Sequence, residues 1–305
     1  MVVLVAVPLA LTAACGSSNK LGGSSGGGSK DVTIVGQDFT EGNIMTAIYS
    51  DLLDKAGYKS TVKTLGGRDV YIGPMEKGSV QVAADYLSSM TEDLNRRANG
   101  ANAPLVASSD PVATLAELKT LGAKYGLAPL QPAAAQDANA FAVTKKFASE
   151  HNLTTLSDLG ALGGSYKLAA PSDCPTRPEC KLGLKSVYGI NVSKVVPLDF
   201  DSAAAKSALS KGEVQIAEVA TTDATLDSLG LVVLTDDKKW QNAENLVPVC
   251  NAAWLKKNPK AAAALNKLSS VLTTEDLTGL IAKVDSDREK ASDVAEAYLK
   301  DKGLI

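Results

Sequence analysis

The chain is poor in aromatic side chains, histidine and cysteine, and neither charge sign is in marked excess. Aromatics make up 5% of its 305 residues, His151 is the one histidine, and cysteine occurs four times. These counts leave no His-Glu-x-x-His and no Cys-x-x-Cys, and no acidic Ca²⁺-loop pattern is present, so no metal site is expected. The net charge is −3, and the lysines and arginines are scattered, which argues against nucleic acid as a partner. Catalytic parts are also missing. There is no Gly-x-Ser-x-Gly elbow, His151 sits between Glu150 and Asn152 in a polar helix end, and the paired carboxylates Asp236 and Asp237 read as a surface turn. An exported enzyme on an α/β scaffold is therefore the weaker of two function classes, and no cofactor is implied.

What is present is ordinary globular material, 45% hydrophobic and 21% charged, at a length that accommodates two domains. Residues 2–14 form an apolar run of signal-peptide length, too short to cross a bilayer. Leu11-Thr12-Ala13-Ala14-Cys15, followed by Gly16 and Ser17, resembles a bacterial lipobox in which Cys15 is acylated. A plain secretory signal with an incidental cysteine is the other reading. Residues 16–30 are a Gly/Ser tether that cannot form a core. A lipid at Cys15 and a loose arm would hold the folded body at the outer face of a bacterial cell membrane.

The rest is organised around LGGRDVYIGPMEKGSVQVAADYLSS, residues 65–89. Gly66 and Gly67 permit a tight turn before Arg68, Val70 to Lys77 can make a short helix, and Gly78 stops it. Val80, Val82, Ala83 and Ala84 are small or β-branched, as in a strand covered on both faces. In parallel sheets ligands meet the chain just past such strands, which singles out Asp85, Tyr86 and Ser88. Upstream, Asp31 to Gly36 reads as a strand and Thr40 as the cap of a helix running to Ala56. Gln37, Asp38 and Phe39 are then a second strand end beside a helix N-terminus.

Downstream, Leu127 to Ala138 carries two prolines and no period, and reads as a crossing to a second lobe. That lobe repeats the alternation. Its strands are Asn139–Thr144, Lys167–Ala170, Val195–Leu198 and Glu213–Val219, the last running into Ala220-Thr221-Thr222-Asp223. The segment from Leu226 to Leu234 reads as the return, and Pro259–Val271 and Thr274–Leu299 as long helices. The expected fold is a two-lobed α/β protein with two interlobe crossings. Lobe one comprises residues 31–134 and 228–305, lobe two comprises 135–227, and strand ends from both face one cleft.

The ordered segments GQDFTEGNIMTAIYSDLLDKAGY, LGGRDVYIGPMEKGSVQVAADYLSS, DANAFAVTKKFASEHNLTTLSDL, TTD and LVVLTDDK resemble the substrate-binding proteins of osmoprotectant (glycine betaine, choline, carnitine) ABC transporters. The likeness covers nearly all of residues 31–305. It implies a type II periplasmic-binding-protein fold, hinge closure over a small solute, a separately encoded permease and ATPase, and a monomer. The family encloses a quaternary ammonium in tyrosines, since aromatic faces attract a cation that cannot hydrogen-bond. Of that cage Tyr86 carries over, in Asp85-Tyr86-Leu87-Ser88-Ser89. Asn139 stands where relatives place another tyrosine, Ala220-Thr221-Thr222-Asp223 replaces Tyr-Thr-Thr-Asp, and Asp38 replaces a basic residue of some relatives. Arg177 matches an arginine able to clamp a ligand carboxylate.

The resulting candidate site is Asp38, Phe39, Thr40, Arg68, Tyr86, Ser88, Asn139, Arg177, Thr221, Thr222 and Asp223, suited to a polar, hydroxylated or zwitterionic solute, with Tyr86 and Phe39 as its apolar wall. Two members have plainer readings: Arg68 as a salt bridge between loops, Asp223 as a helix cap. Cys174 and Cys180 flank Arg177 and in an exported protein form either a small disulfide loop or two free thiols. Cys250 reads as a small buried residue. A tethered sensor or scavenger of a hydroxylated or phenolic solute shares all these features.

Overall fold

The computed structural model describes residues 30–305; the apolar run, Cys15 and the Gly/Ser stretch to Ser29 lie outside the described residues. In chain order the strands are β1 (Asp31–Gln37), β2 (Lys59–Leu65), β3 (Val82–Tyr86), β4 (Leu127–Pro129), β5 (Asn139–Thr144), β6 (Tyr166–Ala170), β7 (Val192–Pro197), β8 (Ile216–Ala220), β9 (Leu231–Leu234) and β10 (Leu246–Asn251). They form two five-stranded sheets, ordered β2-β1-β3-β10-β4 and β7-β6-β8-β5-β9. Each sheet mixes parallel neighbours, such as β1 with β2 and β6 with β7, and antiparallel ones, such as β3 with β10 and β5 with β8.

Helices cover both faces of each sheet, so strands such as β3 and β8 are buried at every residue, as their small and β-branched composition requires. On one face of the first sheet, Ile44, Ile48 and Leu52 of α1 (Thr40–Lys55) pack with side chains of α10 (Pro259–Ser269), α11 (Thr274–Asp285) and α12 (Ala291–Asp301). On the other face lie α2 (Arg68–Glu76), α3 (Leu87–Asn99) and α4 (Pro111–Lys124). The second sheet is covered on one face by α5 (Lys145–His151), α6 (Leu156–Leu162) and α7 (Gly183–Tyr188), and on the other by α8 (Ala203–Ser210). Each fully buried Leu, Ile or Phe in these layers contributes about 1.5–3 kcal/mol.

Four differences from the sequence expectation have physical causes. LVVL, read as the return to lobe one, is β9 and pairs with β5, so the second sheet holds the chain to Leu234 and not only to residue 227. β10 was not expected because Pro248 interrupts an apolar run; the proline sits opposite Ala84, and its carbonyl accepts from the Leu130 N–H at 2.9 Å. Thr274–Leu299 is two helices, α11 and α12, separated by residues 286–290. Thr40 is the first helical residue and not the cap: Phe39 holds the cap position without a side-chain bond, and the Thr40 hydroxyl donates to Asp285 at 2.7 Å.

The lobes are joined at residues 130–138 and 235–245, and these crossings bond to each other. Gln136 and Asn245 form an antiparallel bridge, the Asp137 N–H donates to the Glu244 carbonyl, and Asn245 Nδ2 donates to the Ala133 carbonyl. The Ala135 N–H bonds the Leu272 carbonyl in lobe one, while Thr221 holds the same crossing to lobe two. The connection is thus a two-stranded ribbon anchored at both ends.

Candidate functional site

The end of β1 and the start of α1 approach so closely that a Cβ on Gly42 would lie 2.1 Å from the Gln37 carbonyl oxygen. This turn places Phe39 at the cleft. The β2–α2 loop brings Arg68, the end of β3 brings Tyr86, and α3 begins with Leu87 and brings Ser89. From the opposite side come Glu179, in the short helical turn Pro178–Leu182 before α7, Phe200, after β7, and Asn139, the first residue of β5; the crossings add Asp137, Gln241, Asn242 and Glu244. These residues and Gln37 line one cavity of about 260 Å³ between the sheets. Phe39 and Phe200, one from each side, are both 40% exposed in it.

Tyr86 is the centre of the lobe-one wall. Its ring stacks on Phe39, with centroids 6.3 Å apart, and the Arg68 guanidinium lies 5.9 Å from its centroid. Arg68 Nε is bonded to Asp85 at 2.7 Å, and Tyr71 also donates to Asp85. The Tyr86 hydroxyl donates to Glu41 Oε1, while Glu41 Oε2 is buried with no hydrogen-bond partner. Burial, reinforced by Asp137, raises the Glu41 carboxyl to about 8 against the opposing Tyr86 hydrogen bond. Burial also raises Glu244, to about 7, although Ser89 donates to it from both N–H and hydroxyl. Asp137 is raised by burial, opposed by Thr222.

Of the residues singled out from sequence, Phe39, Arg68, Tyr86 and Asn139 come together in this cavity. The others are elsewhere or otherwise engaged. Asp38 is exposed and accepts a long 3.5 Å bond from Asn43, and Thr40 turns to Asp285. Ser88 is buried and donates to the Ala243 carbonyl at 2.7 Å. Arg177 pairs with the buried Glu218, beside the Cys174–Cys180 disulfide. Thr221 accepts from the Ala138 N–H and donates to the Gln136 carbonyl; Thr222 donates to Asp137 at 2.7 Å. Asp223 binds Lys206 Nζ at 2.6 Å and accepts from the Thr225 N–H within a turn; no helix follows before β9, so it is not a helix cap. Cys250 is a buried free thiol, pushed up to about 12 by burial.

Glu41, Asp137, Glu179, Phe200 and Glu244 were not anticipated. Phe200 had a usable signal, since it follows a strand as Phe39 does. The acids had none, because a lone Glu or Asp usually marks a solvated face.

A family model described as the substrate binding domain of an ABC-type glycine betaine transport system matches residues 30–301. The chain belongs to this family. A glycine-betaine-binding protein of Pseudomonas aeruginosa is 25% identical over 281 residues, covering 89% of this chain and 88% of that protein. The structure of apo YehZ from Escherichia coli superposes with a TM-score of 0.76 at 26% identity, covering 90% of this chain and 99% of YehZ. A glycine betaine/carnitine/choline ABC transporter structure gives a TM-score of 0.76 at 22% identity, with 90% and 99% covered, and shares the fold. The protein is thus the extracytoplasmic solute-binding component of an ABC importer, non-catalytic, with a type II periplasmic-binding-protein fold that works by hinge closure. Its permease and ATPase are separate partners. Among the described residues no helix is long and apolar enough to cross a membrane.

Proposed function

We propose that the protein captures a small polar or zwitterionic solute between its lobes and delivers it to the permease while held at the outer face of the cell membrane by a lipid on Cys15, as a monomer. The observation that carries this reading is a cavity lined from both sheets and both crossings, with Phe39 and Phe200 facing it from opposite sides. Two half-exposed aromatic rings in a cleft are surface that a solute can cover on closure. Phe39, Arg68, Tyr86 and Asn139 are the proposed contacts. Thr221 and Thr222 tie the hinge, and Arg177 and Asp223 hold the second lobe.

The amides of Gln37, Asn139, Gln241 and Asn242 favour a solute with hydrogen-bonding groups over glycine betaine itself. Small-angle scattering with and without a solute panel tests the reading. A productive solute contracts the particle and raises Tm by mass action; no change with any solute removes it. Globomycin-sensitive processing and loss of membrane association in Cys15→Ser test the anchor.

A further inference from the structure

The cleft holds an imbalance that the tyrosine-cage resemblance does not account for. Its lining contains three carboxyl groups, Asp137, Glu179 and Glu244, against one cation, Arg68. A fourth carboxyl, Glu41, lies directly behind Tyr86 with one oxygen unpartnered. Arg68 balances them only in part, because its Nε is committed to Asp85 at 2.7 Å and its charge is shared between Asp85 and Glu244.

The aromatic surface is also partly taken. One neighbour of the Tyr86 ring is Phe39, stacked at 18°, and another is the guanidinium of Arg68 at 5.9 Å from the centroid. The position an ammonium ligand would take over this ring is thus contested by the protein's own cation. What the cleft offers besides is carboxylate oxygen and amide oxygen: Glu244 already accepts from Ser89 and Asp137 from Thr222, and Glu179 adds a third carboxylate.

We propose that the recognised pole of the solute is a cation bearing N–H donors, such as a protonated amine, and that neither a permethylated ammonium nor a carboxylate-bearing zwitterion is the preferred ligand. This rests on the reading of the cleft as the solute site. Closure takes Glu179, Glu244 and Asp137 further from water, and a buried carboxylate whose charge is not compensated is costly even where, as for Glu244 and Asp137, a neutral hydroxyl or N–H already donates to it. An N–H cation supplies charge-assisted hydrogen bonds to these oxygens, whereas a quaternary ammonium supplies charge alone. A ligand carboxylate would meet the acids with only the remaining N–H groups of Arg68 in its favour.

The same geometry couples capture to proton release. Glu244 faces Ser89, Arg68 and Asp85, and Glu41 faces Tyr86 and Asp137. Glu244 lines the cavity and its carboxyl is raised by burial to about 7, so a cation seated against it expels its proton near neutrality, whereas Glu41 lies behind Tyr86 and outside the lining.

The test is titration calorimetry on the purified protein at pH 7 with ethanolamine, N,N-dimethylethanolamine, choline and glycine betaine. The first three share a skeleton and differ in N–H count; the fourth adds a carboxylate. The expected result is binding of the N–H cations at least about tenfold tighter than choline or glycine betaine, with a heat that changes between buffers of different ionisation enthalpy. Glu179→Gln should reduce the preference for N,N-dimethylethanolamine over choline with Tm unchanged within about 2 °C, and Glu244→Gln should reduce proton release. Choline or glycine betaine binding as tightly as the amines overturns the inference and leaves the solute-receptor reading standing. So does a neutral polyol that binds where all four cations fail. A cleft that responds to no solute of any class overturns both.

Discussion

The hydroxyl of Tyr86 donates to the buried carboxyl of Glu41, tying the one cage tyrosine that carries over from the family pattern to an acid on α1. Glu41 is 3% exposed and keeps its proton to about pH 8, so at neutrality the pair is mostly uncharged. The unfolded chain loses this proton near the ordinary value of 4.5. Between these two pH values the folded protein holds a proton the unfolded one lacks, and stability falls as pH rises through that window.

Glu41→Gln should therefore flatten the pH dependence of stability between about pH 5 and 8, and at pH 8 the variant should be the more stable by about 4 kcal/mol. Urea melts at four pH values measure it. Glu244 and Asp137, raised in the same direction, leave a residual slope in the variant. An identical slope in both proteins would show that Glu41 is not the group responsible.

Gly42→Ala should lower stability by about 2–3 kcal/mol, because the new methyl meets the Gln37 backbone 2.1 Å away and neither side can yield cheaply. The same push moves Phe39, so solute affinity should fall along with Tm. A variant that melts like the parent would mean that α1 can slide on β1.

Phe200→Ala is the converse case. The ring is 40% exposed before closure, so its removal should leave the melting temperature nearly unchanged while solute affinity drops about tenfold. Parallel thermal melts and calorimetry separate the two effects. A large loss of Tm would instead make Phe200 part of the lobe-two core.

Replacing Cys174 and Cys180 together by alanine should cost about 2 kcal/mol, the loop-closure contribution expected for a bridge between residues six apart in sequence. Reductant should do the same to the parent and nothing to the double variant. Arg177 sits in this loop against Glu218, so the loss should be larger at a pH where Glu218 is ionised. That carboxyl is raised to about 7 by burial, with Arg177 opposing. Melts at pH 6 and 8 compare the two states.

Most of the fold was legible because local chemistry and tertiary packing agree in it. The bounds of β5 and α8 follow from a short apolar run, Ala140 to Val143, and from Ser202, whose side chain accepts from the Ala205 N–H at the helix start. β10 was hidden by Pro248, a residue that ordinarily argues against a strand between two others. β9 was legible as a strand but not as a member of the second sheet, since four residues carry no information about their partner. Within the site, strand-end reasoning found Phe39, Arg68 and Tyr86. It could not show that Arg68 is already bonded to Asp85, or that Thr221 and Thr222 serve the crossings, because those contacts join residues 17 and about 85 apart. Glu41 was invisible for a different reason. An acid in the first turn of a helix looks like a favourable dipole contact, and only the tertiary structure shows that it is sealed under a tyrosine.

The bridge between Gln136 and Asn245 also limits how the two halves can travel. Separate threads would let one half twist, slide or tilt against the other, whereas strands laced side by side resist shear and torsion and bend across their shared width. The molecule then behaves as a door on a long pin, with a single swing coordinate, and a membrane partner has one angle to read in deciding whether cargo is aboard.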